Sequence, residues 1–147
     1  MSALEYVATA AFTWLVGFLP LFEIYIAIPA GLAAGLDPIS TTVWAAFGNI
    51  VPLFIVDAGY EWLRRHERID RWLSVLRRQR VEDILDRFGW VAVFLATPVL
   101  GVWTMALAAK ALGMASRPFL IAASLSVVVY AVVITVAILL GLEVMGV

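Results

Sequence analysis

The sequence predicts an all-α integral membrane protein in which a re-entrant hairpin and a transmembrane helix occur twice, as an inverted repeat. Hydrophobic residues make up 64% of the chain and charged residues 14%, which is not the balance of a soluble domain. From Pro118 to Leu142 the only ionisable group is the Tyr130 phenol, and ~18 apolar residues already suffice to span a membrane. Two apolar stretches, 22–35 and 94–113, are each broken by proline and glycine. Such breaks at matching places in two halves point to a transporter's binding site.

The expected elements of this single membrane domain (1–147) follow one another along the chain. They are an extra N-terminal helix (4–19), a re-entrant hairpin (21–36), a transmembrane helix (38–63), a cytoplasmic amphipathic connector (64–88), a second hairpin (89–113) and a second transmembrane helix (117–142). The first helix lacks the basic start and cleavage pattern of a signal peptide, so we expect it to be retained. Asp37 and Ser116 are predicted N-caps, each with a proline in the first turn that follows.

The connector has the periodicity of two short helices. Apolar residues recur at helical spacing over 69–76 and again over 81–88, separated by the sequence RRQR. Eight of the ten lysines and arginines lie between Arg64 and Arg87, which predicts that this segment is cytoplasmic and that the protein is in the plasma membrane. Re-entrant hairpins would place the other two, Lys110 and Arg117, on the same side. The alternative is four ordinary spanning helices with proline kinks.

The proline breaks are candidate parts of a substrate site. Pro29 removes a backbone N–H and Gly31 permits a reversal; Pro98 and Gly101 do the same in the second stretch. Backbone groups freed within a bilayer must be buried in protein or line a wet cavity. A short helix that begins at such a break favours anionic groups at its N-terminus.

Three charged side chains lie within apolar segments, where an ionisable group is costly enough to require a reason. We expect Glu23 to couple transport to protons or ions, because a carboxylate at low dielectric can exchange a proton. Asp57 is a weaker partner for this role, and it could also reach the cytoplasmic interface. Lys110 is a candidate substrate contact, or it could extend its amine to the interface.

Other polar or aromatic residues could line the same cavity. Asn49 can donate and accept hydrogen bonds within the bundle, and Trp103 and Thr104 closely follow the second break. No phosphate loop, nucleophile elbow or zincin pattern occurs, so we expect no enzyme, no cofactor, no metal and no nucleic-acid partner.

Several motifs resemble the putative small multidrug export family, which is distinct from the four-helix small multidrug resistance transporters. They are EIYIAIPAGLAAG (23–35), GNIVP (48–52), FG (88–89), GVWT (101–104) and LAAKALGM (107–114). That family is in turn similar to the DedA, or VTT-domain, membrane proteins. The resemblance implies a transporter-like fold with paired re-entrant hairpins and, for the DedA relatives, proton-linked translocation of polyprenyl phosphates. Tyr25 departs from the family pattern, which usually has arginine there. The second hairpin also lacks the arginines of the DedA relatives.

The sequence therefore predicts a DedA-like flippase for an amphipathic substrate, a polyprenyl-phosphate-type lipid carrier, coupled to protons or ions. The alternatives are a proton-coupled exporter of small lipophilic cations, which an excess of intramembrane acid would suit, and a non-transporting membrane scaffold. The expected partners are membrane lipids and either the lipid-phosphate or the lipophilic-cation substrate. A homodimer would bury the hairpins more easily than a monomer, and the sequence leaves that choice open.

Overall fold

The predicted all-α class is confirmed by a computed structural model, which describes residues 2–64 and 79–145. No strand occurs in those residues. The helices are α1 (Ala3–Phe18), α2 (Glu23–Ala33), α3 (Pro38–Arg64), α4 (Gln79–Leu100), α5 (Val102–Ala111) and α6 (Ser116–Met145). The first predicted connector helix (69–76) lies outside the described residues. The second falls in the first part of α4, before a break at Gly89, where φ is 49° and ψ is −125°.

Helix length divides these elements into two classes. Two segments are long and apolar enough to cross a membrane, Pro38–Tyr60 within α3 and Ser116–Glu143 within α6. The other apolar helices are shorter: α1, α2 and the part of α4 that follows Gly89. At a rise of 1.5 Å per residue, α2 and α5 are each about 15 Å long, or roughly half of a 30 Å hydrocarbon core.

Local hydrogen bonds explain where the helices begin. Ser2 and Glu5 form a reciprocal capping box at the start of α1. The backbone N–H of Ser40 donates to Asp37 Oδ1 (2.9 Å), as a side-chain N-cap of α3 should. Ser116 does not act as the N-cap predicted for α6. It is the first residue of the helix, and its hydroxyl accepts a hydrogen bond from the Lys110 amine (3.0 Å) instead.

The turns before α3 and α6 share one geometry. Gly35 and Gly113 have φ of 86° and 74°, a left-handed conformation that glycine adopts without strain. The next residue in each turn donates its N–H five residues back, from Leu36 to the Gly31 carbonyl (3.1 Å) and from Met114 to the Ala109 carbonyl (3.0 Å). Both short helices therefore end in the same type of C-cap.

Contacts divide the chain into two compact units, which we call unit 1 (Met1–Val51 with Val127–Val147) and unit 2 (Pro52–Ser126). In unit 1, α1 packs against α2 and α3. An ideal Cβ on Gly17 would lie 2.6 Å from the Ala45 carbonyl oxygen, and one on Gly48 would lie 2.1 Å from the Trp14 carbonyl oxygen. Glycines thus set the close approach of α1 to α3.

Unit 2 contains the end of α3, α4, α5 and the start of α6. Val93, Val102 and Phe119, from three of these helices, are fully buried. The Ser126 hydroxyl donates to the Phe94 carbonyl (2.6 Å), which ties α6 to α4. Large apolar side chains remain exposed on the described helices, among them Phe54, Leu95 and Ile121. Such an outer surface suits contact with lipid.

Candidate functional site

Unit 2 contains an ion pair between two residues that are distant in sequence. The Lys110 amine lies 2.9 Å from Asp57 Oδ1, and the two side chains are 18% and 20% exposed. Lys110 also donates to the Ser116 hydroxyl (3.0 Å). The pair therefore joins α3 to the end of α5 and the first residue of α6. Each sequence position was a candidate by itself, but no local spacing signals that the two side chains meet.

The residues near this pair are mostly apolar. Tyr60, one turn after Asp57, is buried with Ala111, and Leu107 packs against them. The Tyr60 hydroxyl has no hydrogen-bond partner among the described residues. An ion pair is stronger away from water, and removing one partner there leaves a costly unpaired charge. The positive charge of Lys110 is therefore already balanced by Asp57.

Glu23 is the buried carboxylate of unit 1. It opens α2 with φ of 48°, and the residue is only 8% exposed. Positive φ is uncommon for a residue other than glycine and occurs disproportionately at functional sites. The Tyr25 phenol lies within electrostatic range of both the Glu23 carboxylate and the Tyr130 phenol.

The first predicted break is absent at Gly31. The helix α2 continues through Pro29 and Gly31 to Ala33, and the chain turns at Gly35 instead. Pro29 lies on the exposed side of α2, and Gly31 lies on the buried side. A Cβ on Gly31 would approach Thr13 Oγ1 to 2.7 Å and Thr41 Cγ2 to 2.8 Å. Gly31 therefore allows α2 to approach α1 and α3.

The second predicted break is present at Gly101. Pro98 lies inside the end of α4, Gly101 has φ of 81°, and α5 begins at Val102. The hydroxyl of the buried Thr97 donates to the Val93 carbonyl (2.6 Å), one turn earlier. Trp103 and Thr104 are partly buried in the first turn of α5.

Asn49 is buried in unit 1, and its Oδ1 atom has no hydrogen-bond partner among the described residues. Of the predicted site residues, unit 1 contains Glu23, Pro29, Gly31 and Asn49. Unit 2 contains Asp57, Pro98, Gly101, Trp103, Thr104 and Lys110. Over the ranges 2–64 and 79–145, no group of three or more His, Cys, Asp or Glu residues could hold a metal ion.

Residues 2–64 and 79–145 form an all-helical fold that has two helices long and apolar enough to cross a membrane, together with charged residues within apolar helices, and this points to the class of helical membrane proteins. The sequence model of a family described as "putative small multi-drug export protein" matches residues 23–134. The chain belongs to that family, which confirms the resemblance seen in the motifs. The family points to a transporter rather than an enzyme. Searches of the curated proteins and of the solved structures gave no match.

Proposed function

We propose that the protein is a membrane exporter of small lipophilic cations, coupled to protons through Glu23. The Asp57–Lys110 pair is the observation that carries this proposal. Glu23, Asp57 and Lys110 lie inside the apolar segments, and the base among them is 2.9 Å from Asp57; Arg117 and Glu143 lie at the two ends of Ser116–Glu143. The net charge of this set is negative, which favours a cation. The family description, small multi-drug export, supports the same assignment.

Proton coupling follows from the chemistry of Glu23. A buried carboxylate costs less free energy when it is protonated or when a cation lies beside it, so Glu23 can exchange a proton for a cationic substrate. A group that can bind one or the other links the movement of the two. Because Glu23 begins a helix at a positive φ, a change in its charge can act directly on the turn between α1 and α2.

The DedA-like flippase that the sequence predicted as the main function has less support. A phosphate headgroup requires positive groups, and of the three predicted charged site residues only Lys110 could supply a positive charge. Its amine instead contacts Asp57 and Ser116. Polyprenyl phosphate is therefore the competing ligand in the tests below.

We further propose that the short helices form re-entrant hairpins in an inverted repeat, in the plasma membrane, with segment 64–87 cytoplasmic. Helix order supports a repeat, because two short apolar segments precede a long helix in each half: α1 and α2 before α3, and the part of α4 after Gly89 and α5 before α6. Glu23 and Gly101 both have positive φ, and their spacing of 78 residues equals that of Gly35 and Gly113. The same spacing relates nine pairs of buried positions: 24/102, 27/105, 28/106, 31/109, 41/119, 45/123, 48/126, 49/127 and 53/131.

Cysteine labelling tests this topology, because the chain has no cysteine of its own. Ala34→Cys and Ala115→Cys place one exposed thiol in each equivalent turn. In cells, a membrane-impermeant maleimide should label Ala34→Cys from outside and Ala115→Cys only after permeabilisation. Labelling of both variants from the same face would refute the inverted repeat.

Transport is tested in proteoliposomes with an imposed pH gradient and ethidium as the probe cation. Glu23→Gln should abolish the component of ethidium transport that depends on the gradient. Glu143→Gln is the matched control, since Glu143 is an exposed acid near the end of α6. Unchanged transport by Glu23→Gln would refute the coupling role. If the wild type is stabilised by polyprenyl phosphate in a concentration-dependent way and not by ethidium, the cation assignment is wrong.

A further inference from the structure

Unit 1 contains a pocket whose walls are largely aromatic. It has a volume of about 290 Å³ between α1 and α3, and its aromatic residues are Tyr6, Trp14, Trp44 and Phe47. Three aliphatic residues of α1 complete the lining. We call this cavity the aromatic pocket. Its size is at the lower end of the range for small-molecule sites.

Ring geometry and hydrogen bonds fix the walls of the aromatic pocket. Phe47 is tilted 47° from Trp14 and 59° from Trp44, with ring centroids 6.4 Å and 6.2 Å apart. The Trp44 indole N–H donates to the Tyr6 hydroxyl (3.3 Å), which donates to the Ser40 hydroxyl (3.0 Å). The Tyr6 and Trp44 rings are thus held through their polar edges, and Trp14 stacks on Phe18 with ring centroids 5.5 Å apart.

The charged side chains of unit 1 are all acidic. Unit 1 contains four carboxylates, Glu5, Glu23, Asp37 and Glu143, and no lysine, arginine or histidine. Asp37 lies within electrostatic range of the Tyr6 hydroxyl, and Ser40 hydrogen-bonds both residues. Hydrogen bonds from Ser40 hold the pKa of the Asp37 carboxyl below its usual range, so this carboxylate is ionised at neutral pH.

Apolar walls alone would accept any small hydrophobic ligand. Aromatic faces carry a negative potential that attracts a cation, most strongly from tryptophan, and quaternary ammonium is the cation group that aromatic cages recognise. We propose that the aromatic pocket binds a quaternary ammonium group by cation–π contacts. This inference rests on the proposed export of lipophilic cations for its biological meaning, because it names the chemistry and the location of substrate recognition.

Binding to the purified full chain in dodecyl maltoside tests the charge requirement. Isothermal titration with choline should show saturable binding, whereas its neutral isostere 3,3-dimethylbutan-1-ol should not bind. Equal binding of the two compounds would show that only apolar surface is recognised and would overturn the proposal.

Substitution of Trp44 tests the location. Trp44→Leu should weaken benzyltrimethylammonium binding roughly 10-fold, and Trp44→Phe, which keeps a weaker aromatic face, should lose less. Phe12→Leu is the matched control, because Phe12 is an exposed aromatic residue of α1 that does not line the pocket. We expect affinity to fall in the order Trp, Phe, Leu at this position. If Trp44→Leu fails to fold, a loss of affinity in Trp44→Phe that is absent in Phe12→Leu still supports the site. If the Trp44 variants bind with wild-type affinity, or if Phe12→Leu loses as much affinity as they do, the site lies elsewhere.

Competition binding separates two sources of a quaternary ammonium group, a free cation and the headgroup of a choline lipid. If dodecylphosphocholine displaces benzyltrimethylammonium from the wild type, whereas maltoside micelles, which contain no ammonium group, do not, the pocket also recognises choline lipid headgroups. If it does not, the pocket is selective for free cations; either result keeps the ammonium site. If Glu23→Gln loses ethidium transport but still binds ammonium, proton coupling at Glu23 is separate from substrate recognition in the aromatic pocket. Ammonium binding that depends on Trp44, in a protein that transports no cation, would refute the export function alone.

Discussion

The crossing of α1 and α3 gives the sharpest test of the packing, through Gly48→Ala. The added Cβ would lie 2.1 Å from the Trp14 carbonyl oxygen, whereas such contacts are essentially never closer than 3.0 Å. The two backbones must therefore separate by about 1 Å. Because the obstacle is helix backbone rather than a flexible side chain, we expect a cost at the upper end of overpacking, about 3 kcal/mol.

Thermal unfolding in detergent, followed by tryptophan fluorescence, measures this cost. About 3 kcal/mol corresponds to a drop in Tm of roughly 10 °C for a chain of this size. Gly17→Ala should have a smaller effect, since its Cβ would lie 2.6 Å from the Ala45 carbonyl oxygen. Gly141→Ala is the control, because nothing lies within 4 Å of its Cβ position. A Tm for Gly48→Ala equal to that of the control would refute the close crossing and, with it, the shape of the aromatic pocket.

Three further predictions concern charge and backbone conformation. Asp57→Asn should destabilise the protein by about 2 kcal/mol, and adding Lys110→Met should recover most of this stability. A double-mutant cycle measured by thermal unfolding tests this, and additive losses would mean that the two groups do not interact. Hydrogen bonds from Ser40 lower the pKa of Asp37 in the folded state. The contribution of Asp37 to folding stability is therefore present above pH ~4 and disappears as the pH falls through this lowered pKa. The Tm of wild type should therefore converge on that of Asp37→Ala in acid, and a constant difference from pH 7 to pH 2 would contradict this reasoning. Gly113→Ala should cost about 1 kcal/mol from its φ of 74°, although its Cβ would meet no atom; an unchanged Tm would show that the turn relaxes without strain.

Local chemistry explains what could be predicted from the sequence. The all-helical class follows from apolar runs without strand signals, and the Asp37 cap follows from a carboxylate placed three residues before a free N–H. The Ser116 cap failed because the Lys110 amine, six residues earlier, competes for the same hydroxyl. Hydroxyl groups have several possible partners, and the sequence does not rank them.

The break predicted at Pro29 failed for a different reason. Proline in a helix interior costs about 3 kcal/mol, a finite penalty that tertiary packing can exceed. The buried face of α2, which includes Ile24, Ala27 and Ile28, keeps the helix intact past this position. At Gly101 the positive φ adds a conformational break that proline alone does not impose.

The residues that meet across long sequence separations could not be paired in advance. Asp57 and Lys110 lie on different helices, and the aromatic pocket combines residues of α1 and α3. A weak signal did exist for the pocket. Tyr6 and Trp14 are eight residues apart, on one helix face, and Trp44 and Phe47 are three apart, also on one face. Which two faces would meet depends on Gly17 and Gly48, whose role appears only in the packed structure.

The proposed repeat allows Asp57 and Lys110 to be compared with the equivalent positions of the other half. At the 78-residue spacing, Asp57 corresponds to Thr135, which hydrogen-bonds Thr42 at 2.7 Å, and Lys110 corresponds to Leu32. The apolar scaffold recurs at this spacing, whereas the charged pair does not. The charged pair is therefore specific to one half and is not part of the buried pattern that the two halves share. Two features distinguish the halves: the ion pair in unit 2, and the aromatic pocket in unit 1, where every charged side chain is a carboxylate. We expect these two features to serve the function of the protein.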